Sequence, residues 1–125
     1  MQTVLSELSE SLRSEFSPVY TSEITVVEPV GALNAANAAL FQRQLATLLA
    51  SDCSSVLVDL SQVETLDSAG LMVLISAQTS AHQRQKRFGI CGVSPSIRII
   101  FEVTQLDRAF TLFESRADYE RSLAT

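Results

Sequence analysis

Ser55-Val-Leu-Val-Asp-Leu60 is a short, almost wholly apolar run. Runs of that kind mark interior strands, covered on both faces. What flanks it is helical in spacing. Phe41, Leu45, Leu48 and Leu49 share one face upstream, and Leu71, Met72, Leu74 and Ile75 fall at helical intervals downstream. Strands and helices thus alternate along the chain, which predicts α/β layering with parallel crossovers.

The remaining segments extend the alternation. Leu5, Leu8, Leu12 and Phe16 recur every three or four residues, an amphipathic helix pattern that Ser17-Pro18 ends. Tyr20–Val27 is rich in Thr, Ile and Val and reads as a strand, with Gly31 closing the strand that follows. Asn34 is expected to cap a helix running through Ala50. After Ser61–Asp67, read as a loop, a helix is expected from about Ser68 to Gln83, placing Leu71, Met72, Leu74 and Ile75 against the sheet. Phe88–Cys91 is a further strand. Ser94-Pro95 opens a helix carrying Ile97, Ile100 and Phe101, Ser as cap and Pro at its first position. Ala109–Phe113 reads as the last edge strand, and Ser115 with Asp118 resembles a capping box for a terminal helix.

At 125 residues the chain suits one domain with a core that needs no disulfide or metal. Nine Lys and Arg against fourteen Asp and Glu leave a net charge of −5, and only Arg84-Gln85-Lys86-Arg87 clusters basic residues. Phosphate backbones call for a basic face, so nucleic acid is not an expected partner. Cys53, Cys91 and His82 are too few and too scattered for a zinc site; the cysteines read as small buried hydrophobes and His82 as a solvated helix residue. No apolar stretch approaches the ~20 residues of a membrane span, and the N-terminus lacks a secretory leader. A cytoplasmic domain without membrane contact and without a cofactor is therefore expected.

Chemistry concentrates at Asp67-Ser68-Ala69-Gly70, where the run Val56–Leu60 leads through a loop into a helix start. Sites in open α/β sheets gather at the carboxyl ends of strands. A helix N-terminus favours a phosphate, although the neighbouring Asp67 opposes a dianion. On the residues alone two readings stand: Ser68 caps the helix while Ala69-Gly70 allow close packing, or Ser68 is a phosphoacceptor. Enzyme readings fare worse. A nucleophile elbow needs glycine where Leu66 stands, and His82 lies about four helical turns from Ser68. No glycine-rich phosphate loop occurs among Gly31, Gly70, Gly89 and Gly92. Glu64 and Asp67 read as loop decoration.

Three segments together resemble the STAS domain family, specifically its single-domain anti-sigma factor antagonists. They are Val58-Asp-Leu-Ser-Gln-Val-Glu-Thr-Leu-Asp-Ser-Ala-Gly-Leu71, Gly31-Ala-Leu-Asn-Ala-Ala-Asn-Ala38, and Ile90-Cys-Gly-Val-Ser-Pro-Ser-Ile-Arg-Ile-Ile-Phe101 with Leu106 beyond it. The resemblance implies a small open mixed β-sheet flanked by about four helices over residues 18–125, preceded by an amphipathic helical extension over residues 1–17. It also implies bacterial partner switching, without enzymatic activity of the chain itself. Ser68 falls on the family's phosphoacceptor. An anti-sigma factor with serine kinase activity would bind the unphosphorylated chain and release it once Ser68 is phosphorylated, and a serine phosphatase would reverse the modification. The interface implied comprises Asn34, Glu64, Thr65, Asp67, Ser68, Ala69, Gly70 and Met72; homodimerisation is left open. Asn34 stands where many members have Asp, keeping a capping side chain but losing its charge. The alternative is a STAS scaffold or adaptor in a stress-sensing or transporter complex. A nucleotide-binding domain is a weaker third reading, given the missing phosphate loops.

Overall fold

A computed structural model of the chain describes residues 24–124. The amphipathic pattern of residues 1–17 and the first part of the Tyr20–Val27 strand lie outside the described residues. In chain order the elements are β1 (Ile24–Val27), β2 (Gly31–Leu33), α1 (Ala38–Leu49), β3 (Ser55–Asp59), β4 (Val63–Leu66), α2 (Ser68–Gln83), β5 (Arg87–Cys91), α3 (Pro95–Val103), a 3-10 turn (Leu106–Arg108), β6 (Leu112–Phe113) and α4 (Arg116–Ala124).

Four strands form one sheet in the order β1-β3-β5-β6, and β2 pairs with β4 in a separate two-stranded ladder. Every ladder among the described residues is parallel. All five residues of β3 are buried, as its apolar run requires. Alternate side chains of β3 serve different layers. Val56 and Val58 join the main core with Leu45 and Leu49 of α1, Leu74 of α2 and Phe101 of α3, whereas Leu57 packs with Cys91 and Tyr119 of α4. One layer therefore holds α1, α2 and α3 and the other holds α4. Gly89 makes room for α4, because a Cβ there would lie 2.5 Å from the Tyr119 ring. The Tyr119 hydroxyl hydrogen-bonds that of Ser55 beneath the helix, and burial pushes its phenol above the ordinary value despite that bond.

Local signals placed several termini well. Ser94 Oγ accepts from Ile97 N with Pro95 opening α3, and Ser115 Oγ accepts from Asp118 N at the start of α4. Others need correction. Gly31 opens β2 rather than closing a strand, its φ of +88° being the left-handed region that glycine tolerates. The Ser61–Asp67 segment is not wholly loop, because Val63–Leu66 is a strand with its two end residues buried and its middle two exposed. The last strand shrinks to Leu112–Phe113; Phe110 instead plugs the core, edge-on to Phe101 at 5.7 Å. In α2 the buried residues include Leu71 and Leu74 but not Met72, which is 57% exposed, and Ile75 is half-buried. Cys91 is buried and Cys53 half-buried, its thiol donating to Leu48 O.

Candidate functional site

The β2–β4 ladder brings two distant parts of the chain together. Ala32 pairs with Thr65 and Leu33 with Leu66, and Asp67 N then donates to Leu33 O at 3.1 Å. Gly70 presses on the same strand: a Cβ there would lie 2.8 Å from Leu33 O and 2.9 Å from Leu66 Cδ1. Asn34, next after Leu33, therefore adjoins the start of α2. It is not a helix cap. Asn34 Oδ1 accepts from Ala36 N at 2.9 Å, its own N–H donates to Asn37 Oδ1, and Asn37 Nδ2 donates to Ala32 O at 2.7 Å. These bonds fold residues 34–37 into a turn, and α1 begins only at Ala38. Short polar side chains near a helix start serve turns as readily as caps.

Capping of α2 falls to Asp67. Its Oδ1 accepts from Ala69 N at 2.9 Å and Gly70 N at 3.1 Å, and its carbonyl accepts from Leu71 N. The amides that would have cradled a phosphate on Ser68 are thus already taken. Ser68 is the first helical residue, exposed, and no partner among the described residues holds its hydroxyl. Of the two readings left open by the sequence, capping by Ser68 is excluded. A phosphate there would project into solvent beside the Asp67 carboxylate, costing the helix none of its end bonds.

Glu64 and Thr65, the exposed middle of β4, come shortly before Asp67 and Ser68 in the chain, and Thr65 pairs with Ala32 of β2. Met72 sits one turn past Ser68 on the same side of α2. Ala69 is half-buried and Gly70 buried, so these two shape the packing more than the surface. Leu40, in the first turn of α1, is 56% exposed, and α1 and α2 are in contact.

A second polar cluster, at the carboxyl ends of β1, β3 and β5, went unanticipated. Asp59 is buried, its Oδ2 accepting from Arg116 Nε at 2.7 Å and its Oδ1 from Ser61 N at 2.9 Å. Arg116 also donates to Glu28 at 2.9 Å. Burial alone would raise the Asp59 pKa, but the bonds from Ser61 and the Arg116 guanidinium outweigh it and hold the carboxyl below its ordinary value. Beside it, burial and the Asp59 charge push the Cys91 thiol up to about 11. The only sequence signal was a lone Asp ending an apolar strand.

Ser68 and His82 stand near opposite ends of the sixteen-residue α2, about 20 Å apart along its axis. They cannot form a nucleophile–base pair. His82 is exposed. Among the described residues no group of three or more His, Cys, Asp or Glu could hold a metal, and no helix is long and apolar enough to cross a membrane.

Residues 16–119 match the family model described as STAS domain. The chain belongs to the STAS domain family. Over 86 residues, 69% of this chain and 74% of the relative, it is 29% identical to BtrV of Bordetella bronchiseptica, a protein named among anti-sigma factor antagonists. A Thermotoga maritima structure named in the same class superposes with a TM-score of 0.80 at 20% identity, covering 89% of this chain and 96% of that one. The Bacillus cell fate determinant SpoIIAA in its phosphorylated form gives a TM-score of 0.65 at 15% identity, with 84% and 96% covered. At these identities the two structures speak for the fold.

Proposed function

We propose that this STAS chain is an anti-sigma factor antagonist controlled by phosphorylation of Ser68. In the unphosphorylated state the surface formed by Asn34, Glu64, Thr65, Asp67, Ser68 and Met72 binds a cognate anti-sigma factor with serine kinase activity. Phosphorylation of Ser68 releases that partner, and a serine phosphatase restores the binding form. The observation that carries this reading is the separation of tasks at the start of α2: Asp67 holds the helix and leaves the Ser68 hydroxyl exposed, with no bond to it among the described residues. A phosphate of about −1.5 to −2 charges can then come and go without unfolding the chain. Within an interface it adds desolvation cost and repulsion unless the partner supplies cations. A change of ~1.4 kcal/mol is already tenfold in affinity. The similarity to BtrV supports the same class of role.

The test measures affinity for the cognate anti-sigma kinase together with the phosphate content of Ser68. Ser68→Asp should weaken binding by about tenfold or more, whereas Ser68→Ala should bind normally and accept no phosphate. Equal affinity for both variants would remove the switch and leave the scaffold or adaptor role. Phosphate on the native protein is best mapped after cleavage at acidic residues, since no Lys or Arg lies between Arg43 and Arg84.

A further inference from the structure

α1 and α2 do not close completely against each other. Between them lies an open recess of about 160 Å³ floored by Leu45, Leu49, Val73 and Ala77, with the small residues Ala46 and Ser76 at its sides. That is room for an apolar side chain or two; a cavity of about 150 Å³ admits a benzene ring. The lining is uncharged, and beyond its Leu49 end one acidic residue, Asp52, is outnumbered by the cations that follow α2. Arg84, Lys86 and Arg87, three of the chain's nine basic residues, follow the C-terminus of α2. Lys86 Nζ donates to Ser51 O just past α1, which fixes the basic loop across the ends of both helices.

The chain carries a segment with the complementary pattern. Residues 1–17 place Leu5, Leu8, Leu12 and Phe16 at helical spacing, and the polar positions up to Glu23 hold four glutamates and one arginine. The point at which this segment joins the fold is suitable. Ile24 opens β1 in the same row as Ser55 of β3 and Arg87 of β5, so the chain enters the sheet at the basic end, two strand spacings or about 10 Å from Arg87. Residues 18–23 span up to about 20 Å when extended, enough to pass from the edge of the sheet to the helix layer.

We propose that residues 1–17 of this chain dock into the recess between α1 and α2, with Leu8 and Leu12 in the apolar trough and the glutamates facing Arg84 and Lys86; Arg87 lies on the other face of the sheet, beside Tyr119. An amphipathic segment buries its apolar face in such a groove, and the opposed charges fix which end lies where. The occupied recess lies along α2 beyond Ser68 and Met72, so docking leaves the phosphoacceptor end open. The inference does not depend on the function proposed above.

The test uses the full chain. A nitroxide is attached at Ser76→Cys in a Cys53→Ser background; Cys91, buried and with its thiol pushed to about 11, stays unlabelled. The isotope-enriched, labelled chain is diluted into unlabelled protein so that only contacts within one molecule are read. Amide signals of residues 4–16 should lose most of their intensity. The same label at Glu120→Cys, on the other face of the sheet, should leave them intact. Leu8→Asp with Leu12→Asp should restore the signals, and Arg84→Glu with Lys86→Glu should restore them in part, while the signals of residues 24–124 report that the fold persists. Equal intensities with either label would overturn the proposal. So would a loss seen only when nitroxide and isotope are on different molecules, which would assign the recess to a second copy.

Discussion

Two aspartates at the carboxyl ends of strands do opposite things in this molecule. Asp59 and Asp67 each accept backbone N–H bonds through Oδ1, from Ser61 in one case and from Ala69 and Gly70 in the other. Asp59 is buried and also gripped by Arg116, which leads into α4; Asp67 is exposed and has no cation bonded to it among the described residues. The difference is burial. In the interior a carboxylate needs a cation and full hydrogen bonding, and it then ties elements together. At the surface the same group only ends a helix, and its neighbour Ser68 stays available to chemistry. One cluster is a clasp, the other a place where charge can be added.

The contrast can be broken at several points. Asp59→Ala removes one of the two carboxylates bonded to Arg116 and leaves the Ser61 amide without its acceptor. It should lower unfolding free energy by about 2–3 kcal/mol, at the modest end for a buried pair because Arg116 is half-exposed. Denaturant titration measures it; a loss below about 1 kcal/mol would place the clasp among ordinary surface pairs. The pH dependence sharpens the same point. The Asp59 carboxyl is held below the ordinary value of about 3.9, so its contribution is present above that value and disappears as pH falls through the lowered folded value. The stability gap between the native chain and Asp59→Asn should therefore be widest above about pH 5 and narrow below about pH 4. A gap constant across that range would contradict the assignment. Asp67→Ala removes a cap and should cost about 1 kcal/mol by the same titration. Smallest of all, Ser68→Ala should change stability by less than about 0.5 kcal/mol, since it removes no bond found among the described residues. A larger loss would show that the hydroxyl does structural service.

Much of this arrangement was legible from residue order. The apolar run of β3, the Ser94-Pro95 start of α3 and the helical spacing of α2 are local signals that tertiary packing kept. Features made by pairing distant segments were not legible. Val63–Leu66 lacks strand alternation because it is too short to show any, and it is a strand only because β2 lies beside it. Asn34 and Asp67 are both good cap residues, and only the bonds of Asn37 show that the first makes a turn instead. Met72 fitted the apolar face of α2 by spacing yet points outward, since a single helix of mixed pattern does not declare which side meets the sheet. The position of Ser68 was readable; its lack of structural duty was not, because that depends on which neighbour takes the first-turn amides.

The close fit of Gly70 against Leu33 completes a division of labour within four consecutive residues. One residue anchors the helix, one is left over, and the last must have no side chain. Under the proposed switch, architecture and regulation would vary independently: a descendant that exchanged the serine for alanine would keep the fold and the proposed binding surface while losing the means of being switched off. On that proposal a permanently active version would lie a single substitution away, with no compensating change needed elsewhere.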